Sequence, residues 1–135
     1  MKTKLFLLSV LFAFAGMVFA QDTQALEFEK RVHDFGTIQE VDGRVEAIFE
    51  FKNISNKPIT LTNVRASCGC TTPNWPKEPI APGKSSYITA TYNPAGRPGN
   101  FNKSITIRYL KAGDEKASAI ILNIKGSVVP KPKAQ

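Results

Sequence analysis

Thiols and imidazoles are scarce. The chain has two cysteines, Cys68 and Cys70, and one histidine, His33. A scaffold of several disulfides is therefore excluded. So is a closed structural zinc site, which needs four ligands where at most three soft protein donors exist. Any serine or cysteine nucleophile would depend on His33 as its base, and no serine stands in a nucleophile elbow. There is no glycine loop to cradle phosphate, no buried-looking acidic pair and no sustained helical period. Beyond residue 20 no apolar run is long enough to cross a bilayer as a helix, which takes about 20 residues. No basic run reaches five; Lys52, Lys57, Lys77, Lys84, Lys103, Lys111, Lys116 and Lys125 are scattered. These absences argue against catalysis and against nucleic-acid binding.

The amino terminus carries the longest apolar stretch. Met1-Lys2-Thr3-Lys4 precedes an apolar run from Leu5 to Ala15, and the small residues Val18 and Ala20 stand at −3 and −1 of a cut before Gln21. A basic start, an apolar centre and a small-residue cut site predict a cleavable signal peptide over residues 1–20. The expected location is the periplasm or the cell exterior. No cysteine follows the cut, so no lipid attachment point is expected. Loss of Lys2 and Lys4 from 18 basic side chains leaves 16 against 11 acidic ones, a net charge of +5 on 115 residues. A scattered surplus of that size describes a solvated surface with weak affinity for anionic envelope polymers.

Short alternating runs fill the rest. Leu26-Glu27-Phe28-Glu29 opens the series. Val45, Ala47, Phe49 and Phe51 share one face of the next run, with Arg44, Glu46, Glu50 and Lys52 on the other. Ile59 and Leu61 lead a third run, and Tyr87 to Tyr92 form a fourth. Phe101, Ile105, Ile107 and Tyr109 alternate with polar residues in a fifth. In the last run Ile120, Leu122, Ile124 and Val128 share a parity. Period-two alternation is the mark of half-buried strands. Asp42-Gly43, Asn53 to Pro58, Ala81-Pro82-Gly83-Lys84, Asn93 to Asn100 and Ala112-Gly113-Asp114 supply the turns. Six runs and a possible seventh near Cys68–Trp75 predict an all-β, immunoglobulin-like β-sandwich of about seven strands over residues 21–129. A small barrel is the rival architecture. Pro130 to Gln135 read as a disordered tail. Phe28, Phe35, Phe49, Phe51, Leu61, Ile88, Ile105, Ile107, Leu122 and Ile124 are the expected core.

Chemistry concentrates at Cys68-Gly69-Cys70. Export would place the pair where thiols oxidise. A local bridge, a free or metal-bound pair, and bridges to another chain are all open. Strand residues i and i+2 point to the same face, and glycine between them permits the bend a bridge needs. Closing so small a ring gains only ~1.6 kcal/mol of loop entropy before strain is subtracted. Such a bridge is a poor staple, and poor staples tend to be the exchangeable, redox-active kind; a local clasp or plain packing is the other reading. Two thiolates with His33 could hold copper or zinc if His33 lay nearby; otherwise no cofactor is expected. Trp75 either covers one end of the core or offers an aromatic platform to a glycan or protein. Asn53-Ile54-Ser55 and Asn102-Lys103-Ser104 match the glycan-acceptor pattern.

Taken together, His33-Asp34-Phe35-Gly36-Thr37-Ile38, Phe51-Lys52-Asn53, Cys68-Gly69-Cys70-Thr71 and Ala81-Pro82-Gly83 give the chain a resemblance. It resembles a bacterial family of unknown function made of exported immunoglobulin-like domains, similar in turn to Hydin-type and major-sperm-protein-like sandwiches. The resemblance spans Leu26 to Val129. It implies a seven-stranded sandwich in a Gram-negative envelope and brings no catalytic residue. By analogy with such sandwiches, the expected role is a non-catalytic interaction or scaffolding module for an envelope protein or glycan. The candidate binding residues are Cys68, Gly69, Cys70, His33 and Trp75. The alternative is a small thiol-redox or copper/zinc protein using Cys68 and Cys70.

Overall fold

The computed structural model describes residues 24–134. The expected signal peptide, Met1–Ala20, lies outside them. Eight strands follow in chain order: β1 (Leu26–Phe28), β2 (Val32–Gln39), β3 (Val45–Asn53), β4 (Ile59–Ala66), β5 (Thr71–Asn74), β6 (Ser85–Tyr92), β7 (Gly99–Lys111) and β8 (Ser118–Val129). They make two four-stranded sheets. The first has the order β1-β3-β6-β5 and the second β2-β8-β7-β4. The alternating segments thus form a two-layer sandwich. Among the described residues no helix is long and apolar enough to cross a membrane.

Eight strands form where about seven are expected. The additional one is β2, which runs parallel to β8 at the edge of the second sheet. Its alternation is broken by a register shift between Asp34 and Thr37. There Gly36 adopts φ 65, and its N–H donates to Asp34 Oδ1 at 2.8 Å. Asp42-Gly43 is not a hairpin turn either. It ends a single 3-10 turn, Glu40–Asp42, that carries the chain from β2 in one sheet to β3 in the other. Gly43 closes that turn with φ 79 and an N–H bond to the Glu40 carbonyl at 3.2 Å.

Parity decides the interior. Ala47, Phe49 and Phe51 of β3 face Ile105 and Ile107 of β7 and Leu122 and Ile124 of β8, and all are buried. Each of these phenylalanine, isoleucine and leucine side chains contributes roughly 1.5–3 kcal/mol by leaving water. Two of the ten expected core residues, Phe28 and Phe35, are only partly buried; both lie on sheet-edge strands and pack against the core from its rim. Tyr92 stacks on Phe101 with ring centroids 4.0 Å apart. Among the described residues Asn53 is the one fully buried polar side chain. It is completely used: its amide donates to the Lys57 and Ile80 carbonyls, and its Oδ1 accepts from the Ser55 backbone and hydroxyl. In the folded protein Asn53 is therefore no glycan acceptor, whereas Asn102 is exposed. Residues Pro130–Ala134 carry no strand, and the Lys131 N–H donates to Glu40 Oε2 at 3.0 Å.

Candidate functional site

β4 ends the second sheet and β5 ends the first, so the chain between them must cross the sandwich at its margin. Ser67, Cys68, Gly69 and Cys70 make that crossing. Cys68 and Cys70 are joined by a disulfide, with Cα atoms 5.3 Å apart, inside the range a bridge needs. Gly69 is exposed, and nothing lies within 4 Å of where a side chain would begin. The two sulfurs are not equivalent. Cys70 is 5% exposed and belongs to the core, while Cys68 is only partly buried and packs against it. The buried Thr71 hydroxyl sits 3.9 Å from Cys68 Sγ and 3.8 Å from Cys70 Sγ.

The corner is tied down from both sides. The Ser67 N–H donates to the Ser104 carbonyl at 2.9 Å, and the Ser104 N–H donates back to Ser67 Oγ at 3.2 Å. The Asn93 N–H donates to the Cys70 carbonyl at 2.8 Å, and the Thr71 N–H to the Cys68 carbonyl at 3.4 Å.

The structure does not bring His33 to the cysteines. His33 lies on β2 and Cys68 follows β4, the two opposite edges of one sheet. Three strand spacings separate those edges, roughly 14 Å. His33 instead packs edge-on to Phe35 at 4.5 Å between centroids and to Phe49 at 6.4 Å. Its Nδ1 accepts from Lys30 Nζ at 2.9 Å. Burial, then the Lys30 charge, hold its pKa below 6.5, with Asp34 opposing. The metal set of Cys68, Cys70 and His33 is thereby corrected: the cysteines are bridged, the histidine is remote, and the described residues include no cluster of three metal-ligating side chains.

Trp75 follows β5 and packs against the core, which supports its reading as a cover. The Lys77 ammonium lies over its ring, 2.8 Å from the centroid. One ring face is thus occupied by a cation. Beside it is an open depression of about 260 Å³ shared with Tyr87 and Thr89.

A second feature was not singled out from the sequence. On the outer face of the second sheet, Arg65 of β4 pairs with Thr106, and Asn63 with Arg108 of β7. The two guanidinium groups therefore stand on adjacent rows. They rim an open depression of about 380 Å³ with Ser67 and Ser104. Among the described residues neither arginine has an acidic partner; the salt bridges are Lys111–Asp114 and Lys125–Asp34. Thr106 is flanked on β8 by Ile121, 56% exposed, and the neighbouring row ends at Val32, 49% exposed. The opposite outer face, on the first sheet, carries Glu27, Glu46 and Glu50. The sequence held one clue to the arginine face. Continuing the parity of Ile59 and Leu61 would bury Asn63 and Arg65. The register shift between Leu61 and Asn63 turns them outward and Val64 inward.

The family described as "Protein of unknown function (DUF1573)" matches residues 26–128. The chain belongs to that family. No curated protein sequence matches it. Among solved structures it is similar to the ASH/PapD-like domain 7 of human CEP192, at TM-score 0.67 and 9% identity over 80% of this chain and 87% of that one. It is also similar to the YadV chaperone, at TM-score 0.57 and 11% identity, covering 77% of this chain and 52% of the chaperone. A third similarity is to WR4, an MSP family member of C. elegans, at TM-score 0.55 and 11% identity over 78% and 98% of the two chains. At these identities the likeness is one of fold: the DUF1573 chain is an immunoglobulin-like β-sandwich similar in fold to PapD-like and MSP domains.

Proposed function

We propose that this DUF1573 chain is an exported, non-catalytic interaction module of the bacterial envelope that docks a protein partner on the outer face of its second sheet. The observation that carries this reading is the arginine pair. Arg65 and Arg108 stand on adjacent rows with no carboxylate against either, among the described residues, with exposed Ile121 next to Thr106 and exposed Val32 at the far edge of the same face. Two like charges left together favour an anionic partner, and guanidinium forks match carboxylates. Arginine beside apolar surface is the composition of a protein interface. A glycan would favour stacking aromatics; the outward positions of the described second sheet carry none, while Trp75 and Tyr87 belong to the other face. A non-catalytic role is supported by His33, the single histidine, which is packed on two phenylalanines with Nδ1 held by Lys30.

The test expresses the full chain with a carboxy-terminal affinity tag and recovers it from the envelope with its partners. The wild-type chain should retain a defined protein in a salt-sensitive way. A double variant, Arg65→Glu with Arg108→Glu, should retain it about tenfold less while keeping the wild-type melting temperature. Equal retention by the variant overturns the assignment of this face. Recovery of the tagged chain in the cytosol with its leader uncut overturns the envelope location.

A further inference from the structure

We propose that the Cys68–Cys70 bridge is a thiol-exchange site, taking an exposed cysteine thiolate of a partner protein at Cys68. This goes beyond the docking reading and stands whether or not the arginine face binds. Three observations lead to it. First, the bridge is redundant as a clasp. It closes a three-residue ring in a corner already fixed by the reciprocal Ser67–Ser104 bonds and by the bonds to the Cys68 and Cys70 carbonyls. Second, the sulfurs are asymmetric. Cys70 is buried in the core, while Cys68 is partly exposed beside Gly69, whose open surroundings leave an approach for an incoming sulfur. Third, Thr71 is 4% exposed, and the hydrogen-bond partners of its hydroxyl among the described residues are the two sulfurs alone. A hydroxyl so placed can donate to whichever sulfur becomes a thiolate, and a stabilised leaving thiolate speeds exchange.

The chemistry balances without an external oxidant in the first half. A partner thiolate attacks Cys68 Sγ, and the Cys68–Cys70 bond breaks. Its electron pair goes to Cys70 Sγ, which leaves as a thiolate facing the Thr71 hydroxyl, and a mixed disulfide joins Cys68 to the partner. If the partner has a second thiol, that thiolate attacks the mixed disulfide and releases Cys68. The partner's two thiols are then oxidised to one disulfide by two electrons, and their two protons end on Cys68 and Cys70. A small-molecule disulfide of the glutathione class re-forms the bridge by the reverse steps.

The full chain, exported and purified without reductant, is incubated in a millimolar glutathione buffer at neutral pH. Thiols are alkylated with maleimide and located by mass spectrometry, with near-ultraviolet circular dichroism recorded in parallel. The expected result is opening of the bridge with the folded spectrum intact and glutathione found on Cys68. Cys70→Ser should leave a Cys68 thiol that reacts about tenfold faster than the Cys70 thiol of Cys68→Ser. Thr71→Val should slow opening about tenfold, with Thr71→Ser restoring the rate. A bridge that resists until denaturant unfolds the domain overturns the proposal in favour of a clasp. So does glutathione found on Cys70, a result that needs no variant to fold.

Discussion

Replacing Gly126 with alanine tests how tightly the β2 edge is seated on the sandwich. Gly126 lies on β8 with ordinary backbone angles, so alanine meets no conformational barrier. The obstacle is space. A Cβ there would come within 2.9 Å of the Gly36 carbonyl oxygen and 2.9 and 3.0 Å of two Phe101 ring atoms. Neither neighbour yields easily. The Gly36 carbonyl belongs to the turned backbone where β2 changes register, and the Phe101 ring is stacked on Tyr92 and lies 6.2 Å from Phe35. Overpacking of this kind costs about 1–3 kcal/mol. Against it, alanine reduces the freedom of the unfolded chain, a gain of about 0.4–1 kcal/mol. The clash wins, leaving a net loss of about 1–2 kcal/mol. For a domain near 100 residues that lowers the melting temperature by roughly 4–10 °C. Thermal unfolding followed by circular dichroism reads this directly. In a Phe101→Leu background the ring atoms are gone, so the same substitution should cost clearly less, a coupling a double-mutant cycle resolves. An unchanged or raised melting temperature for Gly126→Ala, or strict additivity in the cycle, would refute the packing argument.

Other perturbations follow from the same geometry. Asn53→Ala removes four hydrogen bonds from a fully buried site and leaves the Ser55 N–H without its acceptor, while the Ile80 carbonyl keeps the Ile59 N–H and the Lys57 carbonyl keeps the Ser55 hydroxyl. The expected loss is about 3 kcal/mol in urea unfolding, and a loss below about 1 kcal/mol would mean water replaces the amide. Stability should also fall with acid, through two groups. The Gly96 and Lys131 backbone N–H groups hold the Glu40 carboxyl below 4.5, so its contribution is present above that pH and is lost as pH falls through the folded value. His33 is held below 6.5, so its neutral form is favoured in the fold and stability erodes as pH drops below 6.5. Urea midpoints measured across this range should flatten in the acid limb for Glu40→Gln and in the upper limb for His33→Gln.

The long central runs were legible because they obey a single rule. In β3 alternate residues bury one face from Ala47 to Asn53, in β7 and β8 the same alternation is relaxed only at Lys103 and Gly126 between buried neighbours, and eight of the ten expected core residues are buried. Where the rule breaks, the sequence is silent or misleading. β2 escaped notice because its register shift at Gly36 and its edge position remove the alternation that marks a strand. Asp42-Gly43 has the composition of a hairpin, yet the strands on either side belong to different sheets, a fact no local signal contains. The cysteine spacing allowed a bridge and said nothing of the crossing corner it occupies.

His33 and Arg65 show how the site reading divides. His33 was a candidate from the sequence and Arg65 was not, and topology gives them opposite fates. His33 sits on a strand added at one edge of the second sheet, so it caps the sandwich rim beside Phe35 and is carried away from the cysteines. Arg65 sits on the strand at the other edge, two residues beyond a register shift. That shift turns Arg65 out of the core and onto the row beside Arg108, forty-three positions later in the sequence. It also carries the chain onward to Ser67, which lines the arginine depression while its backbone anchors the Cys68–Cys70 corner to Ser104. The two candidate sites are therefore neighbours through one residue. A partner held on the arginines would present its surface next to the more accessible sulfur, and removing the arginines should slow exchange with that partner while leaving exchange with glutathione unchanged.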